Sequence, residues 1–252
     1  MGRCGGQALR LPDEYADNEK GVNQVSEFQL KFYTNFIKDD RYLYLVKGLG
    51  NTILITLFAV IIGVVLGFLI AIIRSTYTKT GKLKLLNALC GLYLTVIRGT
   101  PVMIQLLIMF YVVFVSSNNK IIVAVIAFGI NSGAYVAEIV RSGIMSIDNG
   151  QFEAGRSLGF SYPQTMWYII MPQAFKNVLP ALANEFIVLL KETSICGYIG
   201  LMDLTRGGDI IRSRTYEAFM PLIAVAVIYL IMVVGLTALV GKLERRLRAS
   251  ER

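Results

Sequence analysis

The amino-acid sequence predicts an all-α integral membrane protein, on the evidence of its composition and of three long uncharged segments. Of the 252 residues, 55% are hydrophobic and only 17% are charged, whereas soluble domains average about 45–50% and about 25%. The three longest segments without any charge are 48–73, 99–119 and 218–241. Because a helix needs about 20 predominantly apolar residues to cross the hydrocarbon core of a bilayer, each segment is long enough to span a membrane.

Apolar runs, prolines and polar turns together predict five transmembrane helices. The expected spans are about 52–73, 100–115, 121–140, 175–190 and 218–240. Pro101 is suited to begin the second span, since proline is well tolerated in the first helical turn. The apolar residues 85–97 before it are then a cytoplasmic extension of that span or an interfacial helix. The spans define a membrane domain over 43–246, which follows a polar leader at 1–42, disordered or partly interfacial, and precedes a basic cytoplasmic tail at 247–252.

Glycine spacing predicts where two of these helices pack closely. Gly63 and Gly67 lie in the first span, and Gly129 and Gly133 repeat their spacing in the third. Small residues at this spacing allow helix backbones to approach each other in lipid. The other interpretation, that glycine is merely tolerated in a membrane helix, remains open at this point.

Basic residues predict which ends of the spans face the cytoplasm. Four Lys and Arg residues lie between positions 74 and 84 with no acid among them, and five follow position 241 against Glu244 and Glu251. Because Lys and Arg accumulate in cytoplasmic loops, both clusters are expected inside. Five spans then place the N-terminus outside, residues 143–172 inside and residues 193–215 outside. The same distribution favours a topology signal over nucleic-acid binding as the role of the net charge of +8, and no nucleic-acid partner is predicted.

The residue types exclude several kinds of chemistry. The chain has no histidine, and its cysteines at positions 4, 90 and 196 lack metal-ligand spacing, so no metal site and no catalytic residue is predicted. Paired aspartates within the spans, which an intramembrane protease would need, are absent as well. Gly81-Lys82 is followed by leucine and lacks the earlier glycine of a phosphate-binding loop. We therefore expect the chain itself to bind no cofactor and any ATP hydrolysis to come from another polypeptide.

Residues 151–172 interrupt the apolar pattern and predict a cytoplasmic helix–turn–helix. Asp148 can stabilise the start of the first helix through the helix dipole. Gly159 suits its C-terminus, where a left-handed residue closes the last turn. Ser161 and Pro163 suit the start of a second helix. A projecting helix pair of this kind has the shape of a docking element for another protein.

Glu185 is the charge that points most directly to a substrate path. It lies nine residues beyond a lysine at the inner end of the fourth span, which corresponds to about 13 Å along a helix. Ionisable groups at such a depth face a cavity or a partner, so Glu185 is expected to meet an ammonium group or a cationic side chain of a substrate. The alternative is a structural contact to Asn131, Thr52 or a neighbouring subunit, and both of these residues are further path candidates. Glu138 and Arg141 are expected to pair near the inner face, in a structural or gating role.

Several motifs together resemble one family. Glu153-Ala154-Gly155 is followed at fixed spacing by Gly159 and by Ile169-Ile-Met171-Pro172. This arrangement resembles the Glu-Ala-Ala loop of the permease subunits of ATP-binding-cassette importers, in their polar amino acid branch, with glycine for the second alanine and methionine for leucine. Further similarity lies in residues 98–105, 134–139, 146–151, 179–187 and 190–194, so that the resemblance extends from about residue 48 to the C-terminus.

The resemblance implies a type I importer fold in the plasma membrane of a bacterium, the inner membrane where there are two. It makes residues 146–172 the coupling loop, seated in a groove of a separate cytoplasmic ATPase that holds ATP and magnesium. The residues expected to contact this ATPase are Glu153, Ala154, Gly155, Arg156 and Gly159. Further implied partners are a second permease subunit, identical or paralogous, an extracytoplasmic solute-binding protein and an amino acid substrate. The predicted function is thus the permease subunit of an ATP-driven amino acid importer, and the alternative is a channel or secondary transporter subunit that ATP does not drive.

Overall fold

The computed structural model of the chain describes residues 27–249, and every regular element in that range is helical. The α-helices are α1 Glu27–Phe32, α2 Tyr42–Thr80, α3 Lys84–Gly99, α4 Val102–Ile108, α5 Lys120–Met145, α6 Asn149–Ser157, α7 Tyr162–Thr165, α8 Met171–Glu192, α9 Leu204–Thr215 and α10 Phe219–Ala249. Short π-helical turns are Tyr33–Ile37, Met109–Val113 and Met166–Ile170, and 3₁₀ turns are Lys38–Asp40 and Thr193–Ile199. The all-α fold class is thereby confirmed.

The two ends of the chain are only partly within this range. Of the expected leader at 1–42, residues 1–26 lie outside the described residues, whereas 27–40 are helical. Of the expected tail at 247–252, the first three residues continue α10 and the last three lie outside the described part.

Three described helices are long and apolar enough to cross a membrane: Tyr42–Thr80, Lys120–Met145 and Phe219–Arg246. A fourth crossing exists if Lys84–Gly99 and Val102–Val113, which meet at a bend of 107°, are counted as one span. By length and composition, the described residues therefore contain three or four membrane spans rather than the predicted five. The expected span 100–115 is too short alone, because the helical residues 102–113 extend about 18 Å against a core of about 30 Å.

The expected span 175–190 lies within α8, which is less apolar than α2, α5 and α10. Asn177, Asn184 and Glu185 interrupt it, and Pro180 lies inside the helix. These polar side chains need protein partners or a cavity at membrane depth. α8 packs against α5 and α10, and Glu185 finds such a partner in Ser132 of α5.

The glycine pairs bring α2 and α5 into close contact along their length. A Cβ atom at Gly67 would lie 2.5 Å from Cγ1 of Val136, and one at Gly129 would lie 2.8 Å from Cβ of Ile62. Neither position can accept a side chain without moving the backbones apart. The prediction of close packing at the glycine pairs is confirmed, and simple tolerance of glycine does not account for them.

At one end of this bundle, a cluster of buried apolar residues joins the segment after α5 to the membrane helices. Phe152 of α6 and Met166 and Ile170 of the following turns pack against Val140 and Ile144 near the end of α5. Burial of such side chains contributes about 1.5–3 kcal/mol each. The helices α6 and α7 are therefore a fixed extension of α5 and α8.

Candidate functional site

The projecting helix α6 has a defined start and end. Oδ1 of Asp148 accepts a hydrogen bond from the Gly150 backbone N–H at 2.6 Å. At the other end Gly159 adopts φ of +78°, and the N–H of Phe160 donates to the Gly155 carbonyl at 3.0 Å. The end at Gly159 is closed as the sequence predicts. At the start, Asp148 acts as a side-chain hydrogen-bond acceptor, in addition to the predicted interaction with the helix dipole, and so satisfies a donor that the helix leaves open.

The second helix of this segment begins with hydrogen bonds between Ser161 and the Gln164 side chain. Oε1 of Gln164 accepts hydrogen bonds from both the N–H and the hydroxyl of Ser161, each at 2.8 Å. Pro163 lies in the first turn of α7, where a missing N–H has no consequence. Capping at both helices makes the turn between them stiff, so a force on α6 reaches α7 and α8.

The five residues predicted to contact an ATPase do not all lie on the same face of α6. Glu153, Ala154, Arg156 and Gly159 are exposed, whereas Gly155 is buried. A Cβ atom at Gly155 would lie 2.6 Å from Cγ2 of Thr165. The departure from the family pattern at this position thus has a physical reason, since Thr165 occupies the space that an alanine methyl would need.

Lys79, in the last turn of α2, contacts the start of α6. Its Nζ atom donates to Oδ1 of Asn149 at 2.6 Å and lies 4.5 Å from the centre of the Phe152 ring. The Phe152 ring in turn stacks on Tyr162, with centroids 6.4 Å apart. Charge patterning marks Lys79 only as a cation on the cytoplasmic side, and no signal in the sequence shows this long-range contact.

A spacing typical of hydrolases also occurs at the end of α6 and in the turn after it. Gly155-Arg-Ser157-Leu-Gly159 matches the Gly-x-Ser-x-Gly spacing of a serine nucleophile. The Ser157 hydroxyl donates to the Glu153 carbonyl within the same helix at 3.1 Å. Because the chain contains no histidine and the serine lies on a helix rather than at a strand-to-helix turn, the motif supports no acyl-transfer reaction.

Glu185 of α8 is joined to α5 through Ser132. Its Oε1 atom accepts a hydrogen bond from the Ser132 hydroxyl at 3.0 Å, and Ser132 is fully buried. This partner differs from the structural alternatives that the sequence suggests, Asn131 and Thr52. Glu185 itself is only partly buried, which leaves part of its carboxylate available to a ligand or another subunit.

Asn131 and Thr52 are hydrogen-bonded to residues other than Glu185. Nδ2 of Asn131 donates to Oε1 of Gln105 at 3.0 Å, while its buried Oδ1 lacks a partner in the described range. Oγ1 of Thr52 accepts from the Leu204 backbone N–H at 3.2 Å and is fully buried. Thr52 therefore joins α2 to α9, whereas Asn131 joins α5 to α4.

Near the end of α5, Glu138 is surrounded by arginines. Nη1 of Arg74 lies 2.8 Å from its Oε1, Nε of Arg141 lies 3.8 Å from its Oε2, and Nη1 of Arg98 lies 4.0 Å from its Oε1. The predicted pair of Glu138 with Arg141 is present. The shortest contact, however, is with Arg74 of α2, which the charge pattern marks only as a topology signal.

These features together define a class of protein. Apolar helices suited to a bilayer carry the stiff helix pair α6 and α7 outside their apolar segments. This pair packs against α2, α5 and α8. Such an arrangement transmits movement of a partner protein into a membrane domain. The class is a membrane transport subunit that another protein drives.

The chain belongs to the family described as binding-protein-dependent transport system inner membrane component, whose pattern matches residues 63–249. It is 35% identical over 208 residues to the glutamine transport system permease protein GlnP of Escherichia coli, across 81% of this chain and 93% of that protein. It is 36% identical over 211 residues to the arginine transport system permease protein ArtQ of Bacillus subtilis, across 82% and 94%. A crystal structure of an amino acid ABC transporter with histidines matches at 43% identity with a TM-score of 0.76, across 84% of this chain and 98% of that chain.

The chain is therefore a permease subunit of an ABC importer, with the type I importer fold. It is a transport subunit rather than an enzyme, and ATP hydrolysis belongs to a separate subunit. The family confirms a membrane location and implies an ATPase and a binding protein as partners. The alternative of a channel or secondary transporter subunit that ATP does not drive is set aside by the same findings.

Proposed function

We propose that this permease imports amino acids and receives its ATPase on the exposed face of α6. The observation that carries the proposal is the division of α6 into two sides. Phe152 and Gly155 are buried against the rest of the chain, whereas Glu153, Ala154 and Arg156 are exposed. A face of small and charged residues allows close approach of another protein and offers both signs of charge for pairing.

Coupling follows from what the buried side of α6 contacts. Phe152 is packed in the same cluster as α5 and the turns before α8, and Asn149 is hydrogen-bonded to Lys79 of α2. Closure of the ATPase would displace α6 as a rigid body, and these contacts would pass the displacement to three membrane helices. Gly159 contributes by ending α6 in a left-handed conformation that most other residues adopt only with strain.

The proposed orientation places the N-terminus outside and the C-terminus and α6 in the cytoplasm. The basic residues at positions 74–84 and 242–252 support it, through their accumulation on the inner side. The proposed assembly contains two permease subunits, identical or paralogous. The support for this assembly is the apolar surface of α10. Only 6% of the most apolar stretch of this helix is buried in the single chain, so the rest needs lipid or a second subunit as cover.

The proposed substrate contact is the carboxylate of Glu185. A membrane-embedded acid that is fixed by Ser132 on one side and only partly buried can pair with the ammonium group of an amino acid. Two of the relatives described above are permeases for glutamine and for arginine, and both amino acids carry this α-ammonium group. Asn131 and Thr52 remain path candidates with weaker support, because both are engaged in contacts between helices. We further propose that ATP and magnesium are bound by the ATPase alone.

The test is reconstitution of the permease with its ATPase and binding protein in proteoliposomes. We expect accumulation of radiolabelled amino acid that depends on ATP inside the vesicle and on binding protein outside. Glutamine and arginine are the first substrates to measure, with sucrose as a solute that should not accumulate. Accumulation without ATP would contradict the proposal, and so would normal uptake when the Glu153 and Arg156 side chains are both replaced by alanine.

A further inference from the structure

A cavity of about 420 Å³ lies between α2, α3 and α5, next to the charges around Glu138. Arg74 and Arg98 line it together with that carboxylate, and Leu94 forms part of its apolar wall. Glycines at positions 91 and 99 leave its α3 side open, because a Cβ atom at either would meet nothing within 4 Å. The cavity is large enough for a phosphate-containing headgroup.

The charges in and beside this cavity are unbalanced. Three guanidinium groups lie within 4.0 Å of one carboxylate, so the group carries a net charge of about +2 at neutral pH. Glu138 makes its short contact with Arg74, which leaves Arg98 at 4.0 Å with a side chain that is 46% exposed. Arg141, whose buried Nε atom lies 3.8 Å from Oε2 of Glu138, does not line the cavity. The donors that are available to an anion in the cavity are therefore those of Arg98.

The position of these arginines along the chain places them at the membrane surface. Arg74 directly follows the uncharged segment 48–73, and Arg98 directly precedes the uncharged segment 99–119. Guanidinium groups at the ends of apolar segments lie at the level of the lipid headgroups. With the orientation proposed above, that surface is the cytoplasmic leaflet, where anionic lipids create a negative surface potential.

The helix α3 is built to lie along this surface. Leu85, Leu89, Leu92 and Val96 form an exposed stripe at helical spacing, with exposed fractions of 75%, 55%, 63% and 50%. The helix meets the next one at 107°, so it runs across the direction of that span. An amphipathic helix in this position buries its apolar stripe at the boundary between headgroups and acyl chains. Acyl chains are thus available next to the cavity.

We propose that this cavity binds the phosphate of an anionic phospholipid, with Arg98 as the main contact. A guanidinium group can donate two parallel hydrogen bonds to a phosphate, and basic pockets between membrane helices bind anionic headgroups. The lipid supplies the negative charge that Glu138 alone does not. It also fixes α3 against α2 and α5, beside the bend that leads into α4. The inference rests on the proposed orientation, but its test does not depend on transport.

The experiment is native mass spectrometry of the assembled transporter, released from membranes that contain equal amounts of phosphatidylglycerol and phosphatidylcholine. We expect phosphatidylglycerol to be enriched on the wild-type complex. Arg98→Gln should lower that enrichment about tenfold, the equivalent of the ~1.4 kcal/mol that a hydrogen bond to a charged group contributes. Arg98→Lys keeps the charge and should keep most of the enrichment. Lys84→Gln removes a positive charge from the same helix outside the cavity lining and should leave it unchanged.

Equal enrichment in the wild type and in Arg98→Gln would overturn the proposal, as would an equal loss in Lys84→Gln, which indicates attraction to general surface charge. Displacement of phosphatidylglycerol by inorganic phosphate at millimolar concentration would show a free-anion site and also contradict a lipid. The mass of the intact complex shows whether Arg98→Gln assembles. If it does not, Gly91→Leu takes its place, because Gly91 lines the cavity and a Cβ atom there would meet nothing within 4 Å, so the new side chain can occupy the lipid site. A complex that retains lipid enrichment but fails to transport contradicts the proposed function and leaves the lipid site intact.

Discussion

The ammonium group of Lys79, at the end of the long helix α2, donates a hydrogen bond to Oδ1 of Asn149, in the first turn of α6, at 2.6 Å. The two residues are 70 positions apart in the chain, and the same ammonium group lies over the Phe152 ring. Because α2 spans the membrane and α6 carries the proposed ATPase face, this contact provides a route for movement that bypasses α5 and α8.

Replacement of Lys79 by alanine should weaken coupling without preventing assembly. Loss of one exposed charge-assisted contact is worth about 1 kcal/mol, which corresponds to roughly a fivefold lower ratio of amino acid transported to ATP hydrolysed. The ratio is measured in proteoliposomes with the ATPase and binding protein present. Lys82→Ala is the control, since Lys82 lies just beyond the same helix and its side chain is exposed. An equal effect of the two substitutions would show that only general charge matters.

Replacement of Gly155 by alanine, the family residue, should destabilise α6 in this chain. The new methyl group would lie 2.6 Å from Cγ2 of Thr165, and overpacking of this kind costs about 1–3 kcal/mol. Thr165 is 2% exposed and its hydroxyl has no partner within the described residues, so Thr165→Ala should make room at little cost.

A double-mutant cycle tests this relationship. Thermal stability of the detergent-solubilised complex is measured for Gly155→Ala, for Thr165→Ala and for the two together. We expect the double variant to recover most of the stability that Gly155→Ala loses. Strictly additive losses would show that the two positions are independent.

Replacement of Gly159 should depend on the backbone preference of the new residue rather than on its size. Gly159 has φ of +78°, yet a Cβ atom there would meet nothing within 4 Å, so the cost of a side chain is conformational, about 1–2 kcal/mol. Gly159→Val should therefore impair ATPase binding more than Gly159→Asn, because asparagine tolerates the left-handed region. Affinity is measured by titration of the permease in nanodiscs with the ATPase. A loss that is equal in the two variants would indicate a direct steric contact with the ATPase instead.

Replacement of Glu185 by glutamine separates a substrate contact from a structural one. Glutamine can still accept the hydrogen bond of Ser132 but cannot pair with an ammonium group as an anion. We expect KM for the transported amino acid to rise about tenfold, as for the loss of a charged hydrogen bond of about 1.4 kcal/mol, with thermal stability unchanged. Ser132→Ala is the complementary variant and should lower stability more than affinity. A stability loss in Glu185→Gln with unchanged KM would assign Glu185 to helix packing.

Composition alone locates some of the membrane helices but not all of them. The uncharged runs at 48–73 and 218–241 coincide with helices α2 and α10, because an apolar surface that long has no stable place except a bilayer. The expected span 100–115 is divided from the helix before it by a bend of 107°. Pro101 shows that a break occurs there, but proline alone does not define the angle between the two helices.

The sequence by itself determined the helical membrane class, the end of α6 at Gly159 and, through the motif at 153–172, the family. These features depend on neighbouring residues or on regular spacing, so they can be recognised along the chain. Only the tertiary structure decided that Ser132 is the partner of Glu185, that Lys79 reaches Asn149 and that Thr165 fills the space at Gly155. Such pairs join helices that are distant in sequence, and their identity depends on rotation and crossing angles that many side chains set together through packing.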